Sequence, residues 1–245
     1  NPAEYRIYLH YGHFDYLYDK VGLSATLKAV TNDWMSARNI TFSWQQVEGI
    51  RNNMLNFLEN HDEQRLASKF FAGNPLKGKA PLLVSALMYT NPMMVYFGQE
   101  FGEPGMDAEG FSGEDGRTTI FDYWCVDTIR RWRNNGKFDN KQLTADELSL
   151  QAYYAKVLNI CNSSEAVREG EFYDLMYVNP QLQRQYAFVR HTENETLLIV
   201  ANFAAHDAEV SIHVPQHLFE YYQIEESASS DWMDLLTEVS FKAFF

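Results

Sequence analysis

Long apolar runs are missing from this chain of 245 residues: the stretch at 82–87 falls far short of the ~18 residues that a membrane-spanning helix requires. Basic residues are scarce, with 20 Lys and Arg against 33 Asp and Glu. The resulting formal charge of -13 repels phosphate backbones, so nucleic acid is not an expected partner. Only two cysteines occur, Cys125 and Cys161. Each falls in an apolar, helical-looking stretch where a thiol behaves as a small hydrophobe, and no disulfide is expected between them. With no CxxC pair and no Cys/His cluster at ligand spacing, a structural zinc site has no support. An initiator methionine is also missing from the opening Asn1-Pro2-Ala3-Glu4. We therefore expect sequence upstream of residue 1 and take no location from the lack of a targeting segment.

What is abundant is apolar and aromatic: 46% of residues are hydrophobic and 15% are Phe, Trp or Tyr. That is enough to bury one large core or two smaller ones without disulfide staples. Flat rings also suit a sugar-binding cleft, where they cover pyranose C–H faces. Composition alone does not separate these uses.

Up to about residue 162, helical patterns alternate with short strand-like runs, as in βα units around a parallel sheet. Apolar runs at 54–59 and 92–97 read as buried strands, the second opening on Pro92, which a strand tolerates at its first position. Between them, 80–90 has helical periodicity, and 64–71 reads as a shorter amphipathic helix. Thr144 with Glu147 forms a capping-box pattern opening a long helix that ends near Asn162-Ser163-Ser164. A domain boundary is expected there, giving domains 1–162 and 163–245. Beyond it, runs at 185–191, 196–203 and 210–214 are β-rich and predict a compact antiparallel β-domain, with 221–245 contributing closing strands.

The most informative segment is Phe57-Leu58-Glu59-Asn60-His61-Asp62, a buried strand that delivers a polar triplet into the following loop. In a parallel barrel, active sites are built at that end of the strands. A carboxylate beside an imidazole can bind the vicinal hydroxyls of a sugar ring. The competing reading makes Asp62 a cap for the next helix and His61 an ordinary loop residue.

Phe-x-x-Asn-His-Asp resembles the motif ending the seventh barrel strand of the α-amylase family of glycoside hydrolases. Further along, Met94-Val95-Tyr96-Phe97-Gly98-Gln99-Glu100-Phe101-Gly102 resembles that family's eighth strand and its Tyr-x-Gly-x-Glu turn. Upstream, Phe14-Asp15-Tyr16-Leu17-Tyr18-Asp19 with Gly22-Leu23 is similar to the sixth strand and its helix. The resemblance implies a fold of class α/β: a partial eight-stranded (β/α) TIM barrel, about strands six to eight, followed by an all-β antiparallel sandwich.

It also implies the activity of a retaining hydrolase of α-1,4-glucosidic bonds in starch, glycogen or maltooligosaccharides. Asp62 would be the carboxylate that stabilises positive charge on the reacting sugar. His61, Asn60, Arg65 and Glu100 would lie on the substrate-binding side, with Asn60 also holding the turn and Arg65 pairing with a carboxylate. Gly98 would serve the turn. Trp44, Trp124 and Trp132 read first as packing residues, and Gly113-Glu114-Asp115-Gly116-Arg117 as a solvated turn.

Retaining cleavage needs a nucleophile and an acid/base with carboxyl groups about 5 to 5.5 Å apart. The family's Gly-x-Arg-x-Asp nucleophile motif does not occur here, and neither role transfers to Glu4 or any other residue present. The implied expectation is a chain inactive by itself, whose partners are an α-glucan substrate and the missing N-terminal part of the barrel, with self-association through exposed barrel edges. No cofactor is identified, and calcium stays open for the intact protein. Three alternatives accompany this reading: an α-glucan transglycosylase of the branching or glucanotransferase type, a noncatalytic relative serving as scaffold, and a glycan-binding module on the β-domain. The last is disfavoured by the lack of an evident exposed aromatic pair.

Overall fold

The computed structural model describes residues 2–105, 115–118, 126–224 and 230–243. Helix α1 (Pro2–His10) leads into strand β1 (Leu17–Tyr18), and strands β2 (Met54–Phe57) and β3 (Met93–Met94) follow. Helices α2 (Ala25–Thr31) and α3 (Asn39–Gln46) separate β1 from β2, and α4 (Lys79–Leu87) separates β2 from β3. The three strands form one sheet in the order β1-β2-β3, with Leu17 opposite Met54 and Asn56 opposite Met93. Both pairings are parallel, so each connection must cross over with a helix, as in βα units. The result is an open arc, and among the described residues no further strand adjoins β1 or β3.

Two expectations for this half need correction. Only Met93 and Met94 of 92–97 form a ladder. The Tyr96 amide turns away to the Gln99 side chain at 3.1 Å, which converts the strand end into a turn. No helix forms over 64–71, where the chain runs through successive turns. The amides that would close its turns are used otherwise: Phe70 N donates to Ser68 Oγ at 3.3 Å, while Ser68 N reaches back only to Arg65 O at 3.0 Å and Phe71 N to Ser68 O at 3.1 Å.

Helix α5 (Asp127–Arg133) precedes the long α6 (Ala145–Ser163), which opens as expected, Thr144 accepting from Glu147 N while the Glu147 side chain accepts from Thr144 N. A short α7 (Glu165–Arg168) then leads to β4 (Glu171–Asp174), β5 (Gln185–His191) and β6 (Thr196–Asn202), an antiparallel sheet with β5 in the middle. The expected strand at 210–214 joins no ladder. Side chains supply its bonds instead: Asn179 takes His213 N at 2.7 Å and gives to His213 O at 2.8 Å, and Gln181 gives to Ser211 O at 3.0 Å. The stretch expected to close the sheet begins as a helix, α8 (Gln216–Tyr222), before the hairpin β7 (Ser230–Asp234) and β8 (Val239–Ala243). Among the described residues the C-terminal part is therefore a three-stranded sheet and a separate hairpin.

One apolar core runs through both halves: Leu27, Leu82, Val84, Leu150, Tyr186 and Phe188 belong to a single buried cluster. Two polar residues fasten the halves together, Arg190 buried and Asp174 half-buried. Arg190 of β5 donates to the carbonyls of Met88, Ala166, Val167 and Gly170 at 2.7–3.1 Å. Asp174 of β4 accepts from Thr41 Oγ1 and Trp44 Nε1, each at 2.7 Å, and from the Tyr186 hydroxyl at 2.9 Å. Trp44 is thus a packing residue, and its ring meets Phe172 edge-on at 5.4 Å. Among the described residues, no helix is long and apolar enough to cross a membrane.

Candidate active site

Strand β2 is the middle strand of the arc, and the loop after it carries Asn60, His61 and Asp62. This loop has no regular secondary structure, so side chains must hold its backbone. Asn60, buried, accepts at Oδ1 from Asp62 N at 2.8 Å and Glu63 N at 3.1 Å. That is an Asx turn, and it uses the Asn60 oxygen inside the loop. No helix follows for Asp62 to cap.

With its backbone pinned, the loop turns His61 and Asp62 outward. Their side chains are 43% and 66% exposed, and His61 Nε2 lies 3.5 Å from Asp62 Oδ2. An imidazole and a carboxylate side by side at the rim of parallel strands can take up neighbouring sugar hydroxyls, and the carboxylate can face developing positive charge.

Beneath the loop lies a charged layer that has no surface of its own. Arg65 is fully buried and donates to Glu59 Oε1 at 3.1 Å and Thr118 Oγ1 at 2.9 Å. Its guanidinium also lies over the Tyr96 ring at 4.1 Å and the Phe97 ring at 4.9 Å. The expected pairing with a carboxylate is thus present, but it places Arg65 behind the loop, supporting it. Glu59 closes the other end by accepting from Leu66 N, so one carboxylate spans the loop from its first residue to its last. Burial pushes the Glu59 carboxyl up, the Arg65 charge and the Leu66 amide pull it down, and the nearby Glu103 raises it again. Glu103, itself buried, accepts from Thr128 Oγ1 at 2.6 Å and Gly105 N at 2.9 Å. Glu59 and Glu103 escaped the sequence reading. Nothing local signals them, because their partners are brought in by the loops after β2 and β3.

After β3, Gly98 takes φ +82° and Gly102 φ +73°, bracketing a single 3-10 turn, Gln99–Phe101. At Gly102 a Cβ would stand 2.5 Å from Pro75 Cβ, so only glycine fits. The turn half-buries Glu100, whose Oε2 has no hydrogen-bond partner among the described residues. Burial raises the Glu100 carboxyl, opposed by backbone amides and by the Arg65 charge. Of the turn at 113–117, Gly113 and Glu114 lie outside the described residues. The remainder is more than a solvated turn: Gly116 is buried and its carbonyl receives Arg65 N, while Arg117 pairs with Asp115 at 2.5 Å. Trp132 packs on Phe101 and Phe138, at 5.8 and 5.0 Å. Trp124 and Cys125 lie outside the described residues, and Cys161 carries a free thiol that donates to Ala86 O at 3.2 Å. Among the described residues, no group of three or more His, Cys, Asp or Glu side chains is placed to hold a metal ion.

No protein-family model and no curated protein sequence matches the chain. Its fold, however, is shared with solved structures. A debranching enzyme from Nostoc punctiforme, in crystals soaked with acarbose, superposes with a TM-score of 0.58 at 16% identity, over 98% of this chain and 47% of that one. AmyP in complex with maltose gives a TM-score of 0.61 at 16% identity, over 93% of this chain and 46% of that one. A second AmyP structure, in complex with maltotriose, gives 0.62 at 16% identity, over 91% and 45%. The chain thus spans less than half the length of each of these proteins. At this identity the likeness establishes a shared fold.

Proposed function

We propose that this chain carries the later part of the active site of an α-amylase-type glycoside hydrolase acting on α-glucans, with the boundary to its C-terminal β-domain between α6 and α7. The observation that carries the reading is the loop after the central parallel strand: Asp62 and His61 are exposed together at its crest while Asn60 and Glu59 hold its backbone from within. The shared fold with a debranching enzyme and with AmyP bound to maltose supports it.

In this reading Asp62 stays ionised and offsets the charge of an oxocarbenium-like transition state, and His61 binds the same sugar. Arg65 and Glu59 hold the loop in place, and Glu100 lines the wall that β3 contributes. The nucleophile and the acid/base come from residues outside this chain, in an N-terminal part of the barrel that completes the arc.

The purified chain alone should release no reducing sugar from starch or maltooligosaccharides. Sustained turnover would overturn these roles. In the intact protein, Asp62→Asn should leave the fold and KM largely unchanged and lower kcat by about a hundredfold or more, because a neutral amide cannot offset the developing charge. An unchanged kcat would reduce Asp62 to a loop residue.

A further inference from the structure

A cleft of about 860 Å3 opens beside the antiparallel sheet, between the start of β4, the β5–β6 turn and the C-terminal end of α8. None of Asn60, His61 and Asp62 lines it. Its size lies within the roughly 300–1,000 Å3 that holds a small ligand.

Its aromatic wall is fixed in place. Tyr221 is 57% exposed, yet its ring is held nearly parallel to that of His217, at 20° and 6.1 Å, and its hydroxyl bonds the Glu171 side chain. Tyr222 meets Tyr221 edge-on at 5.0 Å and packs on His191 at 4.2 Å. The His191 ring is tied on both sides, to Thr196 Oγ1 at 2.8 Å and to the Tyr222 backbone. A ring that is already immobilised loses little rotamer freedom when a ligand covers it. His217 does not line the cleft, whereas Tyr221, Tyr222 and His191 do.

The polar side of the cleft is rich in acceptors. Glu171 and Glu193 line it, and both their charges act on His191. Phosphorylated or carboxylated ligands would be repelled. Most of the acid here is already engaged: Glu169 pairs with Arg168 at 2.7 Å, Glu171 holds Tyr221, and Glu195 accepts from Ser164 Oγ and Ala166 N at 2.7 and 2.8 Å. The cleft is therefore a partly satisfied acceptor surface next to flat apolar rings, which matches a polyol ring better than a free cation.

We propose that this cleft is a second carbohydrate-binding site, taking a neutral oligosaccharide that lays a pyranose C–H face on Tyr221 and donates hydroxyls to Glu171 and Glu193. It stands apart from the Asp62 loop and does not depend on the catalytic reading.

The test uses the purified chain, with maltoheptaose and cellohexaose as neutral probes and spermidine as a cation. Calorimetry should detect one of the two sugars in the millimolar range or tighter, and hydrogen exchange should slow at 191–196 and 221–224. Tyr221→Ala should weaken binding about tenfold, as expected for one lost stacking ring. Tyr221→Phe, which keeps the ring, should restore most of it, and the slowed exchange at 191–196 should be lost in Tyr221→Ala and kept in Tyr221→Phe. Absence of sugar binding across the millimolar range, protection confined to the Asp62 loop, or occupation of the cleft by spermidine alone would each overturn the proposal.

Discussion

Arg65 and Glu59 show how a buried pair can serve an exposed loop. Their side chains are 0% and 1% exposed, so neither can be removed without stranding the other away from water. Arg65→Met or Glu59→Gln should therefore cost about 3–5 kcal/mol in urea unfolding, whereas Glu59→Leu with Arg65→Met should cost distinctly less, because no uncompensated charge is left. Equal losses in single and double variants would mean that packing, and not the pair, matters here. The pair also marks where sequence reading stops. Asn60 as a turn residue was legible, because an Asx side chain bonds its own backbone two and three residues on. Gly98 was legible for a different local reason, a glycine at a strand end permitting the positive φ that it takes here. The Glu59–Arg65 pair spans six residues, a spacing that no helix or strand brings together. Only the turn that forms between them does, and it depends on Gly116, far along the chain, receiving Arg65 N.

Elements divide along the same line between local and distant causes. Helix α6 starts where its capping box says, and the cap should carry measurable energy: Thr144→Ala is expected to cost about 1 kcal/mol in thermal or urea unfolding. Glu147 adds a pH dependence. Burial alone would push its carboxyl up, but Arg131 and the Thr144 amide outweigh burial and hold it below the usual range. The folded state then binds fewer protons than the unfolded one, so this contribution is full above about pH 4.5 and is lost as pH falls further. Glu147→Gln should flatten the acid limb of the stability curve, and an unaltered acid limb would rule Glu147 out as its source. The elements that failed, 64–71 and 210–214, have adequate local patterns. Each loses its regular bonds to other partners, the Ser68 hydroxyl and short i−3 turns in one case and the Asn179 and Gln181 side chains in the other. Hydrophobic periodicity carries no record of such competitors.

At the scale of the whole molecule the arc has two ends, and one is markedly apolar. β1 is paired on one side only, and the segment around it exposes Tyr8, Tyr11, Phe14, Tyr16, Tyr18 and Val21, between 47% and 83% each. Tyr8 and Phe14 meet edge-on at 6.4 Å, so part of this surface is already a cluster. Unpaired strand edges next to contiguous apolar surface favour association. The β4–β6 sheet is better closed, since Arg190 and Asp174 lock it onto the common core through buried and half-buried bonds. Association should therefore proceed through the β1 end and leave that sheet intact. Static light scattering on the purified chain should show a mass that rises with concentration, while hydrogen exchange in β5 stays slow throughout. Tyr11→Lys together with Phe14→Glu should shift the chain toward monomer without lowering its unfolding midpoint, because both side chains are more than half exposed. A chain that stays monodisperse and monomeric at every concentration would show that this face is satisfied in water, and would count against the open-barrel reading from which the proposed active site draws its missing half.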